Sequence, residues 1–471
     1  MRSKTVPAGA TRLSAALVAV LATLALLAAS AAVVVGPAAT ARADDRSQHD
    51  SRAQHASQPA FPPASQHDDR SPNGGRHPRA AHWTAAWAAA VHHPFTLPEW
   101  FGPNWSEEGF ADQTVRQVVR VTTGGAQVRV RLSNRFGTAP LRVTGVTVAR
   151  AGDGAAVRPG TLRPVTFGGR TSTTLPVGSD RVSDPVRLPT RALQPLAVTM
   201  YFARPTGATT FHEGGLTTTY RAAGDHRFAN AAGPFGGETT HSYYLLTGVD
   251  VTRGPGRQTG TVVAFGDSIT DGAFSTANAD NRYPDELAER LVAAGRRLGV
   301  VNLGINGNKV LGDSTCFGER GVGRFGRDAL GQPGVRTVIV LEGINDIGSG
   351  GLPDTGCGTA PKVTAGQIIA GHRAMIAAAH SRGVRILGAT LTPVKGNEYG
   401  YDTPENERIR DEVNRWIRTS GEYDGVVDFD RAVADPNDPD AFLPAYDGGD
   451  HLHPNDAGMR AMAEAIDLAD L

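Results

Sequence analysis

Five short apolar runs in the second half of the chain constrain its fold more than any other feature. They are Thr261–Phe265, Val300–Leu303, Thr337–Leu341, Val384–Ala389 and Val426–Phe429. Runs this short, apolar and rich in β-branched residues read as strands buried on both faces. Stretches with helical spacing separate them, at residues 283–294, 365–381 and 404–419. The last is the clearest: Ile409, Val413, Trp416 and Ile417 share one face, and Thr403 stands at the N-cap position. Parallel strands need crossover connections, so strands alternating with helices predict a parallel sheet with helices on both faces. The expected fold class is α/β over residues 258–471.

Four short blocks follow these runs or close the chain. They are Gly266-Asp267-Ser268, Asn306-Gly307, Gly343-Ile344-Asn345-Asp346, and Asp450-His451-Leu452-His453-Pro454. The first three fall at the C-terminal ends of predicted strands, where open α/β sheets bind ligands. Their chemistry is complementary. A serine hydroxyl is a weak nucleophile until a base takes its proton, and His453 supplies an imidazole. Asp450, three residues earlier, can fix the imidazole tautomer and stabilise the imidazolium. Attack on a carbonyl creates an oxyanion, for which the N–H groups of Ser268 and Gly307 and the amide of Asn345 are candidate donors.

Several residues have competing readings. His451 has the same chemistry as His453, but the Asp-x-x-His spacing favours His453 and makes His451 a rim residue. Asp267 reads as a hydrogen-bonding neighbour of the nucleophile rather than a second acid, and Asp346 as a turn cap. Gly304 competes with Gly307 for the oxyanion role. Asp267, Asp450, His451 and His453 could in principle hold a metal. The chain has no His-Glu-x-x-His and no close Cys pair, so the reading expects none and requires no cofactor.

Residues 258–471 resemble the SGNH hydrolases, also called the GDSL esterases and lipases. The four letters fall on Ser268, Gly307, Asn345 and His453. Gly266-Asp267-Ser268-Ile269 differs from the namesake motif only in Ile for Leu, and the third and fourth blocks match Gly-x-Asn-Asp and Asp-x-x-His-Pro. The resemblance implies a flavodoxin-like three-layer α/β/α domain. It also implies a serine ester hydrolase with a Ser268–His453–Asp450 triad. The favoured substrate is a short acyl ester, acetyl above all, on carbohydrate. A lipase or arylesterase on longer acyl or aryl esters is the alternative. A polysaccharide-binding surface protein with an inactive hydrolase fold is the reading from another class.

The N-terminal part reads as targeting sequence. Arg2, Lys4 and Arg12 precede an apolar stretch over 13–35, and Ala41-Arg42-Ala43 is a cleavage-type site. Secretion is expected, with an N-terminal membrane anchor as the alternative. Residues 44–80, rich in His, Ser, Arg, Pro, Gln and Asp, read as a disordered linker. The only cysteines, Cys316 and Cys357, are expected to pair in an oxidising compartment. Acidic and basic residues balance at 47 each, which gives no electrostatic case for nucleic acid or an anionic membrane as partner. The expected partner is an ester substrate, small or polymeric, with polysaccharide the candidate polymer.

Residues 81–252 carry strand signals. Gln127-Val-Arg-Val-Arg-Leu132 alternates apolar and polar, and further runs lie at 115–121, 141–148, 182–188, 196–202 and 242–246. Gly, Pro, Asn and Thr separate them, as expected of an antiparallel β-sandwich. Trp83, Trp87, Trp100 and Trp105 cluster at its start. They read first as packing residues and second as a carbohydrate-stacking platform. With the stretch Val130–Gly137, this region loosely resembles the β-rich domain upstream of some secreted bacterial SGNH enzymes, which implies a unit that packs on the hydrolase.

Overall fold

The computed structural model describes residues 82–95, 103–252, 259–354 and 356–471. The expected leader, the linker and Trp100 lie outside the described residues. The described residues belong to one compact unit.

The second half forms a five-stranded sheet: β1 (Thr259–Gly266), β2 (Arg297–Gly304), β3 (Val335–Leu341), β4 (Arg385–Ala389) and β5 (Gly425–Val427). Its order is β2-β1-β3-β4-β5, and every pairing is parallel. This is the flavodoxin-like order, in which connections leave β1 and β3 in opposite directions and open a crevice at their C-terminal ends. All of β1 is buried, as its unbroken apolar run requires. The helices are α1 (Ser268–Asp271), α2 (Tyr283–Ala293), α3 (Gly321–Asp328), α4 (Ile344–Gly348), α5 (Ala365–His380), α6 (Pro404–Thr419), α7 (Phe429–Val433) and α8 (Asp456–Glu464). Thr403 caps α6 by accepting from the Asn406 N–H, and Thr364 with Gln367 forms a reciprocal capping box on α5. The fifth strand is shorter than expected. It ends at Val427, because Asp428 accepts from the Arg431 N–H and turns Phe429 into the start of α7.

The first half consists mainly of two antiparallel sheets. One is built on Trp83–Ala88, Leu246–Thr252, Gly125–Ser133 and Asp180–Val182, with Val186–Thr190 also paired to Gly125–Ser133. The other runs Thr239–Thr240, Thr219–Ala223, Gln113–Val121, Gln194–Phe202, Gly145–Arg150, Arg163–Val165. Val128, Val130 and Leu132 are fully buried while Gln127, Arg129 and Arg131 are not, as the alternation predicts. Three expected strands are interrupted. Thr144 breaks 141–148, Leu245 breaks 242–246, and Ser183–Pro185 breaks 182–188. Leu245 sits at φ 63°, and proline cannot supply a ladder N–H.

Trp87 and Trp105 are buried, and Trp105 stacks on Tyr244. Packing, not ligand stacking, accounts for both. Trp83–Ala88 bridges the two halves. Ala85 and Ala88 pack into the α/β core, and the Ala85 N–H reaches the Pro333 carbonyl at 3.0 Å. A side chain at Gly299 of β2 would collide with the Ala85 carbonyl, 2.2 Å from an added Cβ. Small residues on both sides therefore permit a close backbone approach.

Candidate active site

The C-terminal ends of β1, β2 and β3 gather the first three motif blocks. Gly266 and Gly304 are paired at the same level of the sheet. Chain direction changes sharply after each. Asp267 caps α1, accepting from the Ile269 N–H at 3.0 Å, so Ser268 becomes the first residue of a single helical turn.

Ser268 and His453 meet across the crevice, with Oγ 2.8 Å from Nε2. His453 Nδ1 lies 2.7 Å from Asp450 Oδ2. The other Asp450 oxygen accepts from the N–H groups of Leu452 and His453. Burial alone would raise the Asp450 carboxyl. Its hydrogen bond and charge interaction with His453, with those two N–H donors, hold it below the ordinary aspartate range. A hydroxyl, an imidazole and an ionised carboxylate in series can move a proton off the hydroxyl and hold the resulting imidazolium.

The candidate oxyanion donors differ in which of their groups are already bonded. Asn345, on the first turn of α4, donates from Nδ2 to the Asn308 carbonyl at 3.0 Å, which uses one of its two protons. Its Oδ1 accepts from the Tyr401 hydroxyl at 2.6 Å. A donor at Oδ1 fixes which way the amide faces. Gly304 and Gly307 separate clearly. The Gly304 N–H is bonded to Asn302 Oδ1 at 2.9 Å, and its lack of a side chain lets α1 approach, since an added Cβ would lie 2.3 Å from the Asp271 nitrogen. Gly307 has φ +69°, and a Cβ there would sit 2.5 Å from the Phe317 ring. Among the described residues, no acceptor takes the Gly307 N–H.

His451 turns away. Its Nδ1 is bound to Asp447 Oδ2 at 2.5 Å and the side chain is 49 % exposed. Asp346 accepts from the N–H groups of Val310 and Leu311, tying the third block to the loop after the second. Cys316 and Cys357 form a disulfide. Both pack with the core of the antiparallel region, and adjacent Phe317 lies over Gly307.

Other contributors have no motif. Arg324 is fully buried beneath the site. It donates to the carbonyls of Gly266 and Leu303 and to Asn308 Oδ1, each at 2.8 Å, joining the ends of β1 and β2 to the loop beyond. The Phe274 ring lies parallel to His453, centroids 5.2 Å apart, and is 51 % exposed. Asp267, Glu342 and Asp346 are buried acids close to one another. Burial pushes Asp267 up to about 7 and Asp346 up to about 6, and it raises Glu342 well above the carboxylate range.

Asp267, Asp450, His451 and His453 do not form a metal-type cluster among the described residues. The cluster with such spacing is Glu407, Asp411 and Asp440 on another part of the surface. Arg410 already pairs with all three carboxylates.

Residues 264–461 match the GDSL-like Lipase/Acylhydrolase family. The matched stretch is similar to the GDSL-like hydrolases. Among curated proteins, none matches the chain. Solved structures similar to this part of the chain include a GDSL-like lipase from Bacteroides thetaiotaomicron, 16 % identical, with a TM-score of 0.34, covering 45 % of this chain and 87 % of that one. The aryl esterase of M. smegmatis is 17 % identical, with a TM-score of 0.33, over 44 % of this chain and 95 % of its own. An acetyl xylan esterase is 19 % identical, with a TM-score of 0.32, over 44 % and 96 %. No helix among the described residues is long and apolar enough to cross a membrane.

Proposed function

We propose that the protein is a secreted serine esterase that removes short acyl groups, acetyl above all, from carbohydrate. The observation that carries this reading is the continuous chain of bonds from Ser268 through His453 to Asp450. Ser268 Oγ attacks the ester carbonyl as His453 Nε2 takes its proton. The N–H groups of Ser268 and Gly307 and the free proton of Asn345 Nδ2 hold the oxyanion. His453 returns the proton to the leaving alcohol. Water, deprotonated by His453, then attacks the acyl-enzyme, and the carboxylic acid leaves as the proton goes back to Ser268. The cycle consumes only water. Asp450 remains ionised throughout, in keeping with its lowered pKa.

The disulfide supports export to an oxidising compartment. Tyr401, bonded to Asn345 and packed on Gly348, puts a bulky ring next to an oxyanion donor, which supports a small acyl group. One observation favours aryl or longer acyl esters as a second reading: the exposed face of Phe274 beside His453.

The deciding experiment measures hydrolysis of 4-nitrophenyl esters from acetate to palmitate and acetate release from acetylated xylan, with Ser268→Ala as control. Rates falling beyond butyrate, with acetate released from xylan, are expected. Rates peaking at long chains with xylan untouched assign the second reading. Undiminished hydrolysis by Ser268→Ala overturns the mechanism.

A further inference from the structure

The nucleophile sits on a helix of four residues. One turn makes too few internal hydrogen bonds to hold its own orientation, so tertiary anchors must fix where Ser268 points. Asp267 anchors the start of that turn. The anchor at its end comes from the other half of the chain. His212 Nε2 lies 3.1 Å from Asp271 Oδ1, and both side chains are 3 % exposed. Asp271 is the last residue of α1.

The residues that follow His212 hold neighbouring parts of the site. The Glu213 carbonyl accepts from Asn306 Nδ2 at 3.4 Å, and Asn306 immediately precedes Gly307. The Gly215 carbonyl accepts from Arg282 at 3.2 Å. The Leu216 carbonyl accepts from the Asn278 N–H at 2.8 Å. The segment is itself fixed from behind. The Glu213 N–H donates to His92 Nε2, and the Phe211 carbonyl accepts from the His92 N–H.

Resting on the esterase reading, we propose that residues 211–218 of the antiparallel region are a positioning element for acyl transfer. His212 acts through Asp271 to orient the turn carrying Ser268. Glu213 acts through Asn306 to hold the loop carrying the Gly307 N–H. Neither reaches the reacting atoms. The upstream half is thereby an integral part of the catalytic site rather than an appended binding module.

The test uses the full chain and four variants: His212→Ala, His212→Gln, Asn306→Ala and Thr122→Val. Thr122 bonds the Val300 carbonyl at 2.8 Å on the same interface, in the middle of β2 and away from the strand ends. Its loss reports the cost of weakening the interface alone. The readouts are thermal midpoint, kcat and KM for 4-nitrophenyl acetate, and inhibition by phenylboronic acid, which forms a tetrahedral adduct on an oriented serine.

His212→Ala is expected to lower kcat about 10- to 100-fold with KM nearly unchanged, as displacement of a reacting group by about an ångström does. Boronate inhibition should weaken by the same factor. The His212→Gln amide can still donate to Asp271 and should restore kcat to within about threefold of wild type. Asn306→Ala should lower kcat about three- to tenfold, and Thr122→Val should lower the midpoint while kcat holds. A folded His212→Ala with wild-type kcat overturns the proposal, as does an equal loss of kcat in Thr122→Val. If His212→Ala does not fold, Asn306→Ala, which strands no buried charge, decides by the same criteria. Ser268→Ala separates the two levels. If it hydrolyses normally, the esterase reading fails; if it is inert while the positioning variants keep kcat, only the positioning role fails.

Discussion

Glu213→Gln should change how stability depends on pH, by an amount the structure sets. The Glu213 side chain is almost completely buried. Burial, with a smaller push from the charge of Asp271, raises its carboxyl from the ordinary 4.5 to about 8. The folded protein therefore keeps this proton at pH values where the unfolded chain has released it. Between pH 4.5 and about 8 the unfolded state binds fewer protons, so stability falls as pH rises. The penalty is absent below pH 4.5 and complete above about pH 8. Each pH step across that window costs about 1.4 kcal/mol, or about 3–5 kcal/mol in all. Glutamine has nearly the same shape and does not titrate. The difference in unfolding free energy between Glu213→Gln and wild type should be near zero at pH 4.5 and reach about 3–5 kcal/mol in favour of the variant at pH 9. Urea unfolding of both proteins at pH 4.5, 6.5 and 9 measures it directly. The acids Asp267, Glu342 and Asp346 also titrate high, but they are present in both proteins and cancel in the difference. Stability curves that stay parallel across the whole range would refute the assignment of a neutral, buried carboxyl to Glu213.

Two further outcomes follow from the site. Asn345→Ala removes one oxyanion donor and should lower kcat about 10²- to 10³-fold with little change in KM, whereas Tyr401→Phe, which only frees the amide to turn, should cost about three- to tenfold; steady-state kinetics on 4-nitrophenyl acetate separates them. Replacing Cys316 and Cys357 by serine opens a loop spanning 41 residues, worth about 4 kcal/mol in the chain-entropy view. For a unit of this size that is a fall in Tm of about 5 °C by calorimetry, and an unchanged Tm would show that packing of Phe317 and its neighbours holds the loop without the bond.

The parts of the fold visible in the sequence are those whose cause is local. Strands β1 to β4 were readable because a parallel strand covered on both faces must be apolar throughout. Helix α6 was readable because its buried side recurs at helical spacing and Thr403 caps it. Helices α1 and α4 were not, since one turn is too short to show a period. For α7 a signal exists: Asp428 is an acceptable N-cap, but the β-branched pair before it is the stronger, strand-type signal. The site shows the same division. Its blocks are contiguous and sit where strands end, so they could be found one at a time. Arg324, Tyr401, Phe274 and His212 act only across distance; the His212–Asp271 pair alone spans 59 positions. No periodicity or spacing marks such a contact. Residues on both sides of the pattern change near residue 252 share a core, for a related reason. A change from alternating to continuous apolar pattern marks where sheet type changes, not where a core ends. Ala85 and Ala88 belong by sequence to the antiparallel half and by packing to the α/β core. Alanine fits either pattern, so which core a small residue joins is decided by the surface that closes over it. That surface brings the antiparallel half against β2, and the same docking carries His212 to Asp271.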